Sequence, residues 1–177
     1  NINDYLLREI PKEWKNYDAI ICEPIRVEVN KISKLIKKGW RNLLKDPTIF
    51  FDKRKHSIKL HFDMYHGYGL LDKAIKKMDD KNKFKFQNFV NYSNIFNPHI
   101  MLIAKPKILD LWFHDLFEWL FECEKIFKFD NLKDYETKRL YAYLAERYLS
   151  YWITEHTRYK EWPYIFYDSE KKNIYED

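Results

Sequence analysis

PKILDLWFHDLFEWLFECEK at 106–125 and YETKRLYAYLAERYLSYWI at 135–153 are the stretches from which the fold of this chain can be read. Pro106 suits the first turn of a helix, where its missing N–H would have had no partner anyway. Behind it, Leu109, Trp112, Phe113, Leu116, Phe117, Leu120 and Cys123 recur at three- and four-residue steps, the spacing of one helical face. The second stretch carries two adjacent rows: Leu140, Leu144, Tyr148 and Trp152, and beside them Tyr141, Ala145, Leu149 and Ile153. The polar 129–134 segment between the stretches reads as a turn. The pattern therefore predicts helices over 105–127 and 137–156, joined as an antiparallel hairpin whose wide apolar faces need a partner.

Glu146 and Arg147 interrupt the second helix. At about 100° per residue they fall roughly 130° to either side of the apolar centre, one on each border. Sequence neighbours do not face each other on a helix, so no salt bridge between the two is expected. A half-buried charge is costly unless paired, so each should have a definite partner. Pattern alone favours two ordinary boundary charges.

Outward from this hairpin, Tyr17–Cys22 is an apolar run closed by Glu23 and Pro24, and it reads as a buried strand. Ile100–Ala104 is a second short run, plausible as the strand that feeds the long helices. Residues 27–44 suit a helix with Ile32, Leu35, Ile36, Trp40 and Leu43 on one side, and with Lys31, Lys34, Lys37, Lys38 and Arg41 on or beside the other. Gly67 and Gly69 suggest a turn into a helix over 70–78, ended by a polar loop at 79–83. Residues 4–16 are amphipathic only over short range.

Charge is uneven. From Lys31 to Lys59 there are ten Lys and Arg against Asp46 and Asp52, a net of +8; the whole chain is +5, which leaves −3 for the remainder. Such a basic arm can attract a phosphate-bearing ligand or an anionic membrane surface, although solvated lysines on a helix back explain it as simply. Within 59–72, which reads as a loop, His61, Asp63 and His66 are of metal-ligating type, but no fourth ligand follows at motif spacing. Three glycines exclude a Gly-rich phosphate loop. No run of about 18 uncharged apolar residues is present, so no membrane span is expected. Cys22 and Cys123 lie far apart, which suits a reduced, cytoplasmic compartment and no structural zinc. With 177 residues, 46% of them hydrophobic, the chain can bury one sizeable core, and a single domain over 1–177 is expected.

Four segments together resemble a bacterial glycosyltransferase family of capsular-polysaccharide and lipopolysaccharide synthesis, some members of which are galactofuranosyltransferases. YDAIICEP at 17–24 looks like its "YDVILPKP" strand, and Tyr65-His66 with Leu71-Asp72 is similar to its "AH…EDLDLL" stretch. MLIAK at 101–105 through WLFECEK at 119–125 looks like its "NMFIMKKEIF…LFELEK" block. The most specific piece is YAYLAERYLSYW at 141–152, beside the family's "FGFLSERLLNVW". The family's asparagine falls on Ile100, with Asn97 nearby, and its opening strands and "HYRRYF" motif have no counterpart ahead of Asn1. The chain therefore looks like the C-terminal part of such an enzyme.

The resemblance implies an α/β fold, part of a GT-A-like nucleotide-sugar transferase, with few short strands and a helix-rich second half. It implies transfer from a nucleotide-sugar donor to a glycan or lipid-linked acceptor; the basic arm is expected at the inner face of the membrane, in peripheral contact with anionic lipid, and nucleic acid is not expected, since RNA-type motifs with interleaved aromatics and glycine are missing. A divalent metal alongside the nucleotide sugar stays open, since the chain has no metal motif. Transfer needs a base near the acceptor hydroxyl and positive charge near the leaving diphosphate. His66, Asp72 and Glu146 are the candidate bases, and Arg147, Asn97 and Tyr65 the candidate substrate contacts. The alternative from another class is a non-catalytic basic module that docks anionic lipid or nucleic acid.

Overall fold

From Tyr143 to Ile153 every residue except Glu146 is buried, so the helix that carries them runs through the middle of the molecule. A computed structural model describes residues 6–133, 135–168 and 173–175. In chain order the elements are β1 (Ala19–Cys22), β2 (Ile25–Arg26), α1 (Ile32–Lys45), α2 (Ile58–Tyr65), α3 (Leu70–Ile75) and α4 (Asp80–Tyr92). Then come β3 (Ile95–Phe96), β4 (Leu102–Ala104), α5 (Pro106–Phe127), α6 (Tyr135–Lys138), α7 (Leu140–His156), β5 (Tyr159–Trp162), β6 (Phe166–Asp168) and β7 (Asn173–Tyr175). The fold is mixed α/β, helix-rich with few short strands, as expected.

β1 is the middle of a three-stranded sheet, antiparallel to β4 and parallel to β5. β2 and β3 form an antiparallel ribbon that Val27 N extends by donating to Asn94 O (2.8 Å), and β6 pairs with β7. Ala19 and Ile21 turn toward the helices and join the main core with residues of α2, α3, α4, α5 and α7. The hairpin is antiparallel, as its spacing predicts. Trp152 Nε1 donates to Asp115 Oδ2 (2.7 Å), and Tyr148 packs on Trp119 (ring centroids 5.1 Å), so contacts run back along α5 as α7 advances.

Four expectations need correction. First, the buried face of α5 is Trp112, Leu116, Trp119, Cys123 and Phe127, whereas Phe113 and Phe117 lie exposed and stack in a row with Phe121. The cause is Trp119, whose Nε1–H reaches Ala74 O (2.8 Å) and so can be buried at its polar tip. Second, residues 79–83 do not form a loop: Asp79 accepts from Asn82 N (3.0 Å) and caps α4. Third, most of 59–72 is helical, because Ser57 Oγ accepts from Leu60 N (3.2 Å) and opens α2. Fourth, α1 begins at Ile32 rather than Val27, and Ile32, Ile36 and Trp40 do not face the core. No helix among the described residues is long and apolar enough to cross a membrane.

Candidate functional site

α7 carries Arg147 into a slot between α2 and β3, where its side chain is only 2% exposed. The guanidinium lies 4.1 Å above the Phe96 ring, with Phe62 at 5.8 Å and Tyr143 at 6.0 Å. Nη1 donates to Glu146 Oε2 (2.5 Å), while Nη2 donates to His66 Nε2 (3.3 Å) and, at the limit of hydrogen bonding, to His61 Nδ1 (3.5 Å). Nε, also buried, has no hydrogen-bond partner among the described residues.

An arginine only donates, so both facing imidazole nitrogens must offer lone pairs. This places the His66 proton on Nδ1 and the His61 proton on Nε2. Burial first, and then the Arg147 charge, push His66 down to about 3 and His61 down to about 4, so both rings are neutral at pH 7. Burial also pushes Arg147 down to about 10, against the supporting charge of Glu146.

Local structure explains why these side chains meet. His61 and Tyr65, one turn apart on α2, meet at 4.8 Å with their rings tilted, and His66 at the helix end stacks on Tyr143 at 3.6 Å. Gly67 (φ +116) and Gly69 (φ +73) then reverse the chain in conformations that a side chain would strain. Asp63 clasps that turn by accepting from Gly69 N (2.9 Å), and it also accepts from Asn42 Nδ2 (3.0 Å) and Lys59 Nζ (2.6 Å).

Lys38 lies 4.3 Å over the Tyr65 ring and Arg139 5.2 Å over Tyr143, and the charge of each also acts on His66. Arg147 thus pairs with Glu146, and the charges of Arg139 and Glu146 also act on each other. Only Thr157 and Arg158 separate α7 from β5, so the helix runs back across the sheet. Its N-terminal half therefore lies toward the carboxyl ends of β1 and β5, the edge at which open α/β sheets bind ligands. The charge of Glu146 accordingly reaches Cys22, the last residue of β1.

Among the residues expected from sequence, His66, Tyr65, Glu146 and Arg147 come together here. Glu146 and Arg147 partner each other, contrary to expectation, because a buried guanidinium on a long stem can fold back along its own helix. Asn97 adjoins Phe96, but Nδ2 donates to Cys22 O (2.7 Å) and its backbone N to Ser150 Oγ (2.7 Å), so it fastens β3 to β1 and α7. Asp72 stands apart, pairing with Lys59 (3.0 Å) in a surface cleft beside Lys45 and Tyr68.

His61, read from sequence only as a metal-ligand type, proves to be a neighbour of Arg147. Phe96, Tyr143, Lys38 and Arg139 were not singled out for the site. A helical reading of 58–65 would have placed His61 and Tyr65 on one face, four residues apart. These groups do not fit a divalent metal, because Arg147 occupies the space between the two imidazoles and engages Glu146. Among the described residues no group of three His, Cys, Asp or Glu could hold a metal ion. Both cysteines are free and buried, and burial pushes Cys22 up to about 11 and Cys123 up to about 12, so neither is a ready nucleophile.

Neither the curated proteins nor the solved structures offer a match to this chain. A family model does match, over residues 14–157, a span that includes β1, the whole of α2 and α7, and every member of the cluster around Arg147. The chain belongs to the family described as a domain of unknown function, DUF4422.

Proposed function

We infer that the chain belongs to a GT-A-like glycosyltransferase that moves a sugar from a nucleotide-sugar donor to a glycan or lipid-linked acceptor in bacterial surface-polysaccharide synthesis. The observation that carries this reading is Glu146: a partly exposed carboxylate held by a buried guanidinium, with Lys38 and Arg139 acting on the neighbouring His66, toward the carboxyl edge of the β1–β5 pair. The resemblance of YAYLAERYLSYW to the transferase helix falls on the same residues.

In an inverting transfer the acceptor oxygen attacks the anomeric carbon and the bond to the leaving diphosphate breaks, its electron pair going with the diphosphate. Glu146 takes the acceptor proton, while Lys38 and Arg139 meet the charge that develops on the leaving group. Arg147 positions Glu146 rather than touching substrate. His66 is poorly suited as a base, since its Nε2 lone pair faces Arg147. Asp72 lies too far aside to share the task.

Glu146→Gln should lower kcat/KM for transfer by ten-fold or more, about 1.4 kcal/mol; it also leaves the buried Arg147 without its counter-charge and so should lower melting, and turnover is therefore compared per folded molecule. Turnover equal to that of the parent enzyme would remove Glu146 from the chemistry. The basic face of α1 is the observation that favours a non-catalytic lipid-docking module, and such a module would show no transfer or hydrolysis of any nucleotide sugar.

A further inference from the structure

We propose that α1 docks the molecule in the plane of an anionic lipid surface, with Ile32, Ile36, Trp40 and Leu44 entering the headgroup boundary and the neighbouring cations meeting lipid phosphates. The four apolar residues recur at every fourth position, so they sweep an arc of roughly 120° around the helix. They are 56%, 53%, 49% and 75% exposed. The body takes the other edge of α1: Leu35 and Gly39 are its buried positions, against Leu60 and Met64 of α2. A Cβ on Gly39 would stand 2.9 Å from Leu35 Cδ1 and 3.4 Å from Met64 Sδ, so the glycine lets α1 lie flush there.

Next around the helix from the apolar arc come Lys37, Arg41 and Lys34. Residues 31–45 contain five Lys, one Arg and no Asp or Glu. None of these six cations forms an ion pair with a described residue. Shortly beyond α1, Phe51 is exposed beside Lys53 and Arg54.

Chemistry selects the occupant. A protein covering the apolar arc would carry the bordering cations toward a low-dielectric interface, at a cost unless it brought matching acids. Nucleic acid would satisfy the cations but leave the apolar arc in water. An anionic bilayer offers an acyl boundary for the arc and phosphates for the cations in a single plane. The inference deepens the transferase reading, since it would set the chain beside a lipid-linked acceptor. Its test reads lipid binding alone, so failure of docking and failure of transfer are distinguishable.

The test is co-sedimentation with phosphatidylcholine vesicles, with and without phosphatidylglycerol as about one third of the lipid, at low and high salt. The parent chain should bind the phosphatidylglycerol vesicles at least ten-fold more tightly than the neutral ones, and less tightly at high salt. Two variants, Lys34→Gln/Lys37→Gln/Arg41→Gln and Ile36→Ser/Trp40→Ser, should each weaken that binding ten-fold or more while melting as the parent does. If either variant fails to fold, Leu44→Ser stands in for it, with a smaller loss expected. Indifference to lipid charge, or parental binding by a folded variant, would overturn the proposal. So would RNA binding as tight as lipid binding and insensitive to Ile36→Ser/Trp40→Ser, or a dimer in the absence of lipid that these substitutions dissolve.

Discussion

α1 and α7 carry similar apolar rows at four-residue spacing, yet they end in opposite surroundings. α7 buries all but one residue from Tyr143 to Ile153, and α1 buries Leu35 and Gly39. The difference lies in what separates the apolar positions. In α1 the remaining positions are mostly lysine and arginine, and enclosing them without counter-charges would be costly. In α7 the intervening residues are largely Ala, Ser and Tyr, and the single buried cation brings its own carboxylate. Apolar periodicity names a helix; the charges between its apolar rows decide whether the fold encloses it.

The sharpest way to break this contrast is Arg147→Ala. Removing a guanidinium that is almost wholly buried strands Glu146 and opens a void under Phe96, and should cost about 4 kcal/mol in urea unfolding. A loss under about 1 kcal/mol would mean that the pair does not anchor α7. Leu144→Ala, at a position with no exposure, should follow at about 3 kcal/mol.

Acid should act next, on the two histidines that face Arg147. His61 and His66 are held below their ordinary value of 6.5, at about 4 and about 3, so the unfolded chain binds more protons throughout that interval. Stability is therefore fully present above pH 6.5 and is lost as the pH falls toward 4 and then 3, by on the order of 2 kcal/mol in the first part of that range. Replacing both rings, as in His61→Asn/His66→Asn, should flatten the slope between pH 6.5 and 5, where few carboxylates titrate. The smallest effect belongs to α1. Leu44→Ser should change stability by less than about 0.5 kcal/mol, since this large apolar side chain already lies in water.

Much of this architecture was legible in the residues. β1, β4, the α5–α7 hairpin and both rows of α7 follow from period alone, because long repeats bounded by Pro106 and by short apolar runs leave little choice. α2 is hidden because His61, Asp63 and Tyr65 interleave with its apolar residues, so its face shows no clean repeat and Ser57 is the one local sign of its start. The orientation of α5 was hidden because Phe113 and Phe117 are as apolar as Trp119, and only the carbonyl of Ala74, distant in sequence, selects the tryptophan. The site was half legible: Tyr65, His66, Glu146 and Arg147 were found, but His61, Phe96, Tyr143, Lys38 and Arg139 meet them only through the packing of α1, α2, α7 and β3.

On the transferase reading, the cluster around Arg147 serves a sugar-diphosphate and not only the packing of α7. Lys38 and Arg139 test it most directly, because both are exposed and face the cluster without holding the core. Lys38→Gln/Arg139→Gln should be measured for kcat/KM with nucleotide sugars, beside its melting temperature. A loss of ten-fold or more in kcat/KM is expected, with melting shifted by no more than about 2 °C. Parental kcat/KM in a folded double variant would contradict it, leaving the buried Arg147 as a structural device alone.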